Sequence, residues 1–243
     1  SDPKNGSKLI NPNNLFHTAK NEDFQSSSIL ESASINTQIT APSALMALMM
    51  IHMKTNNKII SSRISIPTTL FEIIHANPFH AFLKVLARNL VEWDSMKISS
   101  EFIEDSIPEA VRFIHNNDYT KIFEKYQINS NFRHLDYQIL TLLYHFIATA
   151  SIFSLCLKFA GTADDELRRI VIAQIKNFQK TPINDNIFAY DRGMKNYVDS
   201  YTYNQILCIL SFSLGILMAG FCDVESLKLI IELKHNLRRG KRI

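Results

Sequence analysis

Long apolar runs alternate along this chain with shorter amphipathic segments, and three of the apolar runs end in the same way. Each has a small residue (Ala47, Ser154, Ser213), a leucine (Leu48, Leu155, Leu214), further apolar residues, and a short turn ending at Asn57, Asp164 or Asp223. Self-similarity of this kind predicts an all-α fold, an α-α array in which each unit buries its greasy face on its neighbours. The small residue lets a neighbouring helix approach closely, and the leucine fills the contact. Gly161 and Gly220 fall where the first helix of a unit should stop, because glycine adopts the left-handed conformation without steric penalty. Lys54 holds that place in the first unit, so its turn should differ or carry strain. Asn57, Asp164 and Asp223 are placed to cap the next helix, each contributing about 1 kcal/mol. Thr162 with Asp165 offers an alternative cap. The following segments, Asp165 to Val171 and Glu225 to Glu232, set apolar residues at helical spacing beside charged ones, which predicts an outer layer with one solvated face. The alternative, an ordinary bundle with chance similarities, does not account for the shared turn.

Ordering the remaining segments fills in the chain. Residues 1–38 are rich in Asn, Ser and Lys and read as a flexible lead-in with a possible short helix from Ile29 to Gln38, leaving 39–243 for the array. Pro42 suits the first turn of the opening repeat helix. The interval from Leu48 to Leu155 is nearly twice that from Leu155 to Leu214, so it must hold additional helices or an insertion. Helices are expected at Thr68 to Ala76, at Pro78 to Asp94, after a cap at Ser99 or Ser100, from Pro108 to near Asn116, at Asp118 to Tyr126, and from Asp136 to Phe159. Thr181 to Asp199 reads as a surface loop.

Composition narrows the class. With 46% hydrophobic residues, six glycines and seven prolines in 243 residues, the chain can bury a large core and is too poor in turn residues for an all-β fold. A net charge of +3 argues against nucleic acid as the principal partner. The basic cluster Arg238 to Arg242 reads as a solvated end. Cys156, Cys208 and Cys222 lie in apolar segments without a Cys-x-x-Cys pair, which fits a reducing compartment, and no secretory leader is seen from Ser1. The uncharged stretch Ser200 to Cys222 reads as a buried helix and not a membrane span, since its strongly apolar part is short and interrupted by serines and Gly215.

Four further segments carry a resemblance. Thr40-Ala41-Pro42-Ser43-Ala44, the run from Leu48 to Lys54-Thr55-Asn56-Asn57, Ile66-Pro67-x-Thr69, and Leu86-Ala87-Arg88-Asn89-Leu90-Val91-Glu92-Trp93-Asp94 together resemble the proteasome/cyclosome repeat region of the largest subunit of the anaphase-promoting complex. Phe159-Ala160-Gly161-Thr162 and Met218-Ala219-Gly220 are similar to later repeats of that region. Met49, Cys156 and Phe221 depart from its usual small residues. The resemblance covers roughly residues 39–239. It implies repeats curling into a superhelical or toroidal array, within a scaffold of a multisubunit ubiquitin ligase. Its partners would be the substrate co-receptor subunit and neighbouring scaffold subunits, its location nuclear and cytoplasmic.

Chemistry weighs on the same side. No Gly-rich phosphate loop or nucleophile–base pattern is visible, and His75 and His80 are not one helical turn apart as a zinc pair requires, so no cofactor or metal is expected. Arg88 and Asn89 with Trp93 and Asp94 could form a polar site, but suit a helix anchor of buried hydrogen bonds and an ion pair better. The leading expectation is a non-catalytic scaffold. A repeat scaffold of the proteasome regulatory particle binding ubiquitin-like proteins is the alternative, and a hydrolase or nucleic-acid-binding repeat comes third.

Overall fold

A computed structural model describes residues 37–116, 118, 121, 125, 137–183 and 198–239. The chain divides into two units, residues 1–40 and 41–243; of the first, only 37–40 are described, as the opening turn of a helix. Ten α-helices occur among the described residues: α1 Thr37–His52, α2 Lys58–Arg63, α3 Leu70–Ile74, α4 Pro78–Val91, α5 Ser100–Asp105, α6 Glu109–His115, α7 Tyr137–Lys158, α8 Asp165–Phe178, α9 Ser200–Leu217 and α10 Val224–Arg239. No strand is present among those residues, only an isolated parallel bridge between Ile183 and Val198. The fold is all-α. Most of the expected lead-in, most of the helix expected at Asp118 to Tyr126, most of the Thr181 to Asp199 loop and the Arg238 to Arg242 side chains lie outside the described residues, and the last two lead-in positions, Thr37 and Gln38, already belong to α1.

Helix α7 is the axis of the core. It packs on α4 along one side and on α9 along the other, with α6 against it as well. Ile139–Lys158 is long and apolar enough to cross a bilayer, yet most of it is buried: Leu140, Ile147, Ile152 and Leu155 are sealed among protein side chains. A helix apolar on every face belongs in such a place. The outer helices behave differently. Leu167, Val171, Ile172, Ile175 and Phe178 form the buried stripe of α8, while Asp165, Glu166, Arg169 and Lys176 face solvent.

The long interval between the first two repeated segments contains a further inner helix, α4. It carries Ala81, Phe82, Val85, Leu86 and Leu90 into the core. Its helical run stops at Val91 and not Asp94, because Glu92 leaves the helical region (φ −86°, ψ 46°) and Trp93–Ser95 form a 3-10 turn. Two other boundaries also move. Pro42 sits inside α1, beyond its first turn, and α3 is confined to Leu70–Ile74 between the Thr69 cap and His75.

Candidate interaction surface

Neighbouring units are joined by their turns. After α1, the amide of Lys54 donates to the carbonyl of Leu90 (2.9 Å) and that of Asn56 to Val91 (2.9 Å), the last two residues of α4. After α7, Gly161 donates to Ile216 (3.0 Å) and Ala163 to Leu217 (3.1 Å), the last two residues of α9. The C-terminal carbonyls of a helix have no partner within that helix, and each turn supplies two donors to the helix beside it. Such a stitch fixes register, because a slip of one residue would forfeit both bonds.

The geometry of the donors explains the residues. Gly161 and Gly220 have φ of +69° and +86°. Lys54 occupies the same left-handed region at φ 61°, so the first turn follows the path of the turn after α7 and carries the expected strain of a non-glycine there. Its ammonium lies 4.2 Å from the centre of the Trp93 ring, a cation–π contact that offsets part of the backbone cost. The second donors are also left-handed, Asn56 at 52° and Ala163 at 51°. Thr55 and Thr162, between the donors, send their hydroxyls to the carbonyls of His52 (2.7 Å) and Phe159 (2.8 Å). Thr162 therefore closes the turn behind it instead of capping the helix ahead. Phe221 replaces this threonine in the last turn.

Side chains reinforce the stitches. Asn56 donates to the Asp94 carboxylate (2.7 Å) and accepts the Asp94 amide (3.1 Å). Lys158 donates to the carbonyls of Trp93 (2.8 Å) and Met96 (2.9 Å), binding the end of α7 to the turn after α4. Buried Asn89 donates to Ser154 Oγ (2.9 Å), which in turn donates to the Ser151 carbonyl. Arg168 gathers Asp165, Asp223 and Glu225. Asn57 caps α2, Asp164 caps α8 through the Leu167 amide (2.9 Å), and Asp223 caps α10 through the Ser226 amide (2.9 Å).

Two groups from the sequence analysis sit elsewhere than expected. Ala47 and Leu48 are exposed, whereas Ser154, Leu155, Ser213 and Leu214 are buried, because no described helix covers the outward side of α1. Arg88 is exposed and makes no buried anchor; the ion pair of its segment is Glu92 with Lys58 (3.2 Å). Leu86, Ala87 and Leu90 are core residues, and Trp93 is half-buried. Burial pushes the Glu92 carboxyl up, but the Ser61 hydroxyl, the Lys58 ammonium and the Arg88 charge outweigh that and hold it below the ordinary range. Burial alone brings the Cys156 thiol up to about 12, so it is inert; burial, with a smaller push from His115, takes His145 down to about 3.

Among the described residues no group of three or more His, Cys, Asp or Glu side chains is placed to hold a metal ion. An open cleft of about 300 Å³ between α5, α6 and α7 is lined by Glu104, Glu109, Arg112, Phe113, Asn116 and Tyr144 among others. None of those side chains pairs a nucleophile with a base. What the surface does offer is apolar area on two faces: Met46, Leu48, Met50 and Ile51 on α1 with Met53 in the turn after it, and Tyr201, Phe212, Phe221, Leu227 and Ile231 around α9 and α10.

The family described as "APC1 fifth domain" matches residues 6–241 of this chain. The chain belongs to that family. It is similar to anaphase-promoting complex subunit 1 of Arabidopsis thaliana, at 30% identity over 86% of this chain and 12% of that protein. Its similarity to the subunit 1 of Dictyostelium discoideum is 29%, over 88% of this chain and 10% of the relative. A protein of Emericella nidulans named "Negative regulator of mitosis" is 27% identical over 56% of this chain and 6% of its own length. The chain thus spans about a tenth of the relatives it matches. Fifth-domain membership agrees with the resemblance seen in the Lys54 and Leu86 to Asp94 segments, and it favours the cyclosome over the proteasome scaffold.

Proposed function

We propose that this chain is a non-catalytic scaffold region of an anaphase-promoting complex, acting in a multisubunit ubiquitin ligase that marks cell-cycle regulators. The observation that carries this reading is its fifth-domain membership over nearly its whole length. The stitched turns support it physically. A rigid stack fixes the separation of whatever binds its faces, and fixed separation raises the effective concentration of substrate-binding and catalytic subunits without bond chemistry. The exposed apolar faces of α1 and α9 suit protein partners, and the substrate co-receptor and neighbouring scaffold subunits are the partners this reading implies. Their site of action is the nucleus and cytoplasm of dividing cells.

Affinity capture of the full-length protein tests it. Wild-type protein should bring down the other subunits of the complex, and a form lacking residues 137–239 should lose at least one of them. Full retention of every subunit together with undiminished ubiquitination in that form would reject the scaffold reading.

A further inference from the structure

Three buried side-chain nitrogens without a hydrogen-bond partner among the described residues collect at one place: Arg112 Nε, His115 Nδ1 and His145 Nδ1. Arg112 and His115 lie one turn apart on α6. His115 stacks on the Tyr144 ring at 3.5 Å, and its centre is 5.6 Å from that of His145, which in turn meets Phe178 of α8 edge-on. Arg112 and Tyr144 line the cleft between α5, α6 and α7. A buried polar atom left unpaired costs free energy, and a ligand that reaches it recovers that cost.

The charges around the cleft are settled except for Arg112. Lys125 pairs with Glu109, Lys121 pairs with Asp118, and Glu104 stands in solvent on the rim. Arg112 is half-buried and has no ion pair among the described residues. Burial holds His115 below its ordinary value, while burial and the Glu104 charge push Tyr144 above its own. Both rings are therefore neutral at pH 7, and an incoming molecule meets one guanidinium with no counter-charge of its own.

The lining selects the ligand. A guanidinium presents its donors as a planar fork that a carboxylate matches with two parallel bonds. A phosphate dianion would bring a second negative charge up to Glu104 and Glu109, so a single carboxylate suits the cleft better. At about 300 Å³ the cleft stands at the small end of ligand sites, and it is open. Phe113, Ile107 and the Tyr144 ring supply apolar wall, while Glu104 and the exposed Asn116 can meet backbone amides. Those are the needs of a peptide more than of a free acid.

We infer that this cleft docks an extended segment of a partner protein through one acidic residue flanked by apolar ones, with the carboxylate on Arg112 and the apolar neighbours against Phe113 and Tyr144. The inference rests on the scaffold reading for the kind of molecule that supplies the segment, and it names the chemistry that molecule must present.

Fluorescence polarisation with the full-length protein and a rhodamine-labelled Gly-Phe-Asp-Phe-Gly peptide tests it. Binding is expected, with the unlabelled asparagine counterpart and sodium acetate each competing at least about tenfold less well than the unlabelled aspartate peptide. Absence of binding overturns the inference. So does equal competition by the asparagine peptide, which would mean an apolar contact only, or by acetate, which would mean a site for free carboxylates. Arg112→Gln should weaken binding about tenfold or more, whereas Glu104→Gln, which removes the opposing charge on the rim, should bind as well or better. Unchanged affinity in Arg112→Gln also overturns it, and if that variant does not accumulate, the competition in the wild type decides. If affinity capture recovers the other subunits yet the peptide does not bind, this inference fails alone and the scaffold reading stands.

Discussion

Replacing Gly161 by alanine probes the turn chemistry directly. Its φ of +69° costs an L-residue about 1–2 kcal/mol, of which roughly 0.4–1 kcal/mol is returned by the reduced entropy of the unfolded chain. The new methyl would stand 3.4 Å from the Ala219 carbonyl, a contact the turn can accept with little movement. The net expectation is a loss of about 1 kcal/mol. Ala163→Gly is the opposite change one step along the turn, at φ 51°, and should stabilise by a similar or slightly smaller amount. Urea denaturation of a chain spanning residues 37–243, followed by circular dichroism, would read the pair as midpoint shifts of roughly 0.5 M in opposite directions, for a slope of about 2 kcal/mol/M. Gly220→Ala, with φ +86° and open space at its Cβ, serves as the control, because it meets the backbone cost without the neighbour. If Gly161→Ala were neutral while Ala163→Gly destabilised by 1 kcal/mol or more, the assignment of these positions to enforced left-handed turns would be wrong.

Other perturbations address the ties between helices and the buried titrating group. Asn89→Ala removes the hydrogen bond to Ser154 and leaves a small void between α4 and α7, so about 2 kcal/mol should be lost in the same denaturation assay. Lys158→Met keeps the apolar stem but abandons the Trp93 and Met96 carbonyls; a loss of about 2 kcal/mol is expected, and a neutral result would mean water replaces the ammonium without cost. His145 is held neutral when folded, with its value brought down to about 3, yet titrates near 6.5 when unfolded. Between these values the unfolded chain binds the extra proton, so stability should fall as pH drops below about 6.5, at up to about 1.4 kcal/mol per pH unit. Thermal melts of His145→Phe from pH 7 to 4 should show a shallower decline than the wild type.

Some of this architecture was legible in the sequence because particular residues repeat with a physical purpose. Ser154 with Leu155 and Ser213 with Leu214 mark buried helix faces, and Asp164 and Asp223 mark caps, since a cap requires an oxygen at one fixed position. Helix α4 escaped the repeat pattern because its run ends in Val91-Glu92-Trp93 without a glycine, so its equivalence to α9 shows only in the amides it receives. Backbone donors leave no side-chain signature. Lys54 is read as a turn that differs or carries strain, and a strained left-handed turn is what forms; Trp93, thirty-nine residues further along the chain, was not foreseeable as its neighbour. The Asn89 to Ser154 bond joins residues far apart in sequence, which no local pattern encodes. Leu48 shows the converse limit, since its type matches Leu155 and Leu214 but its exposure depends on what lies beyond α1.

Stitching of the turns after α1 and α7 to the ends of α4 and α9 underlies the whole account, and native-state hydrogen exchange of the full-length protein, resolved to single amides, tests it most directly. The amides of Lys54, Asn56, Gly161 and Ala163, although they lie in surface turns, should exchange as slowly as those in the middle of α4 and α7. Exchange of these four at the rate of an unstructured chain would show that the units merely lean on one another.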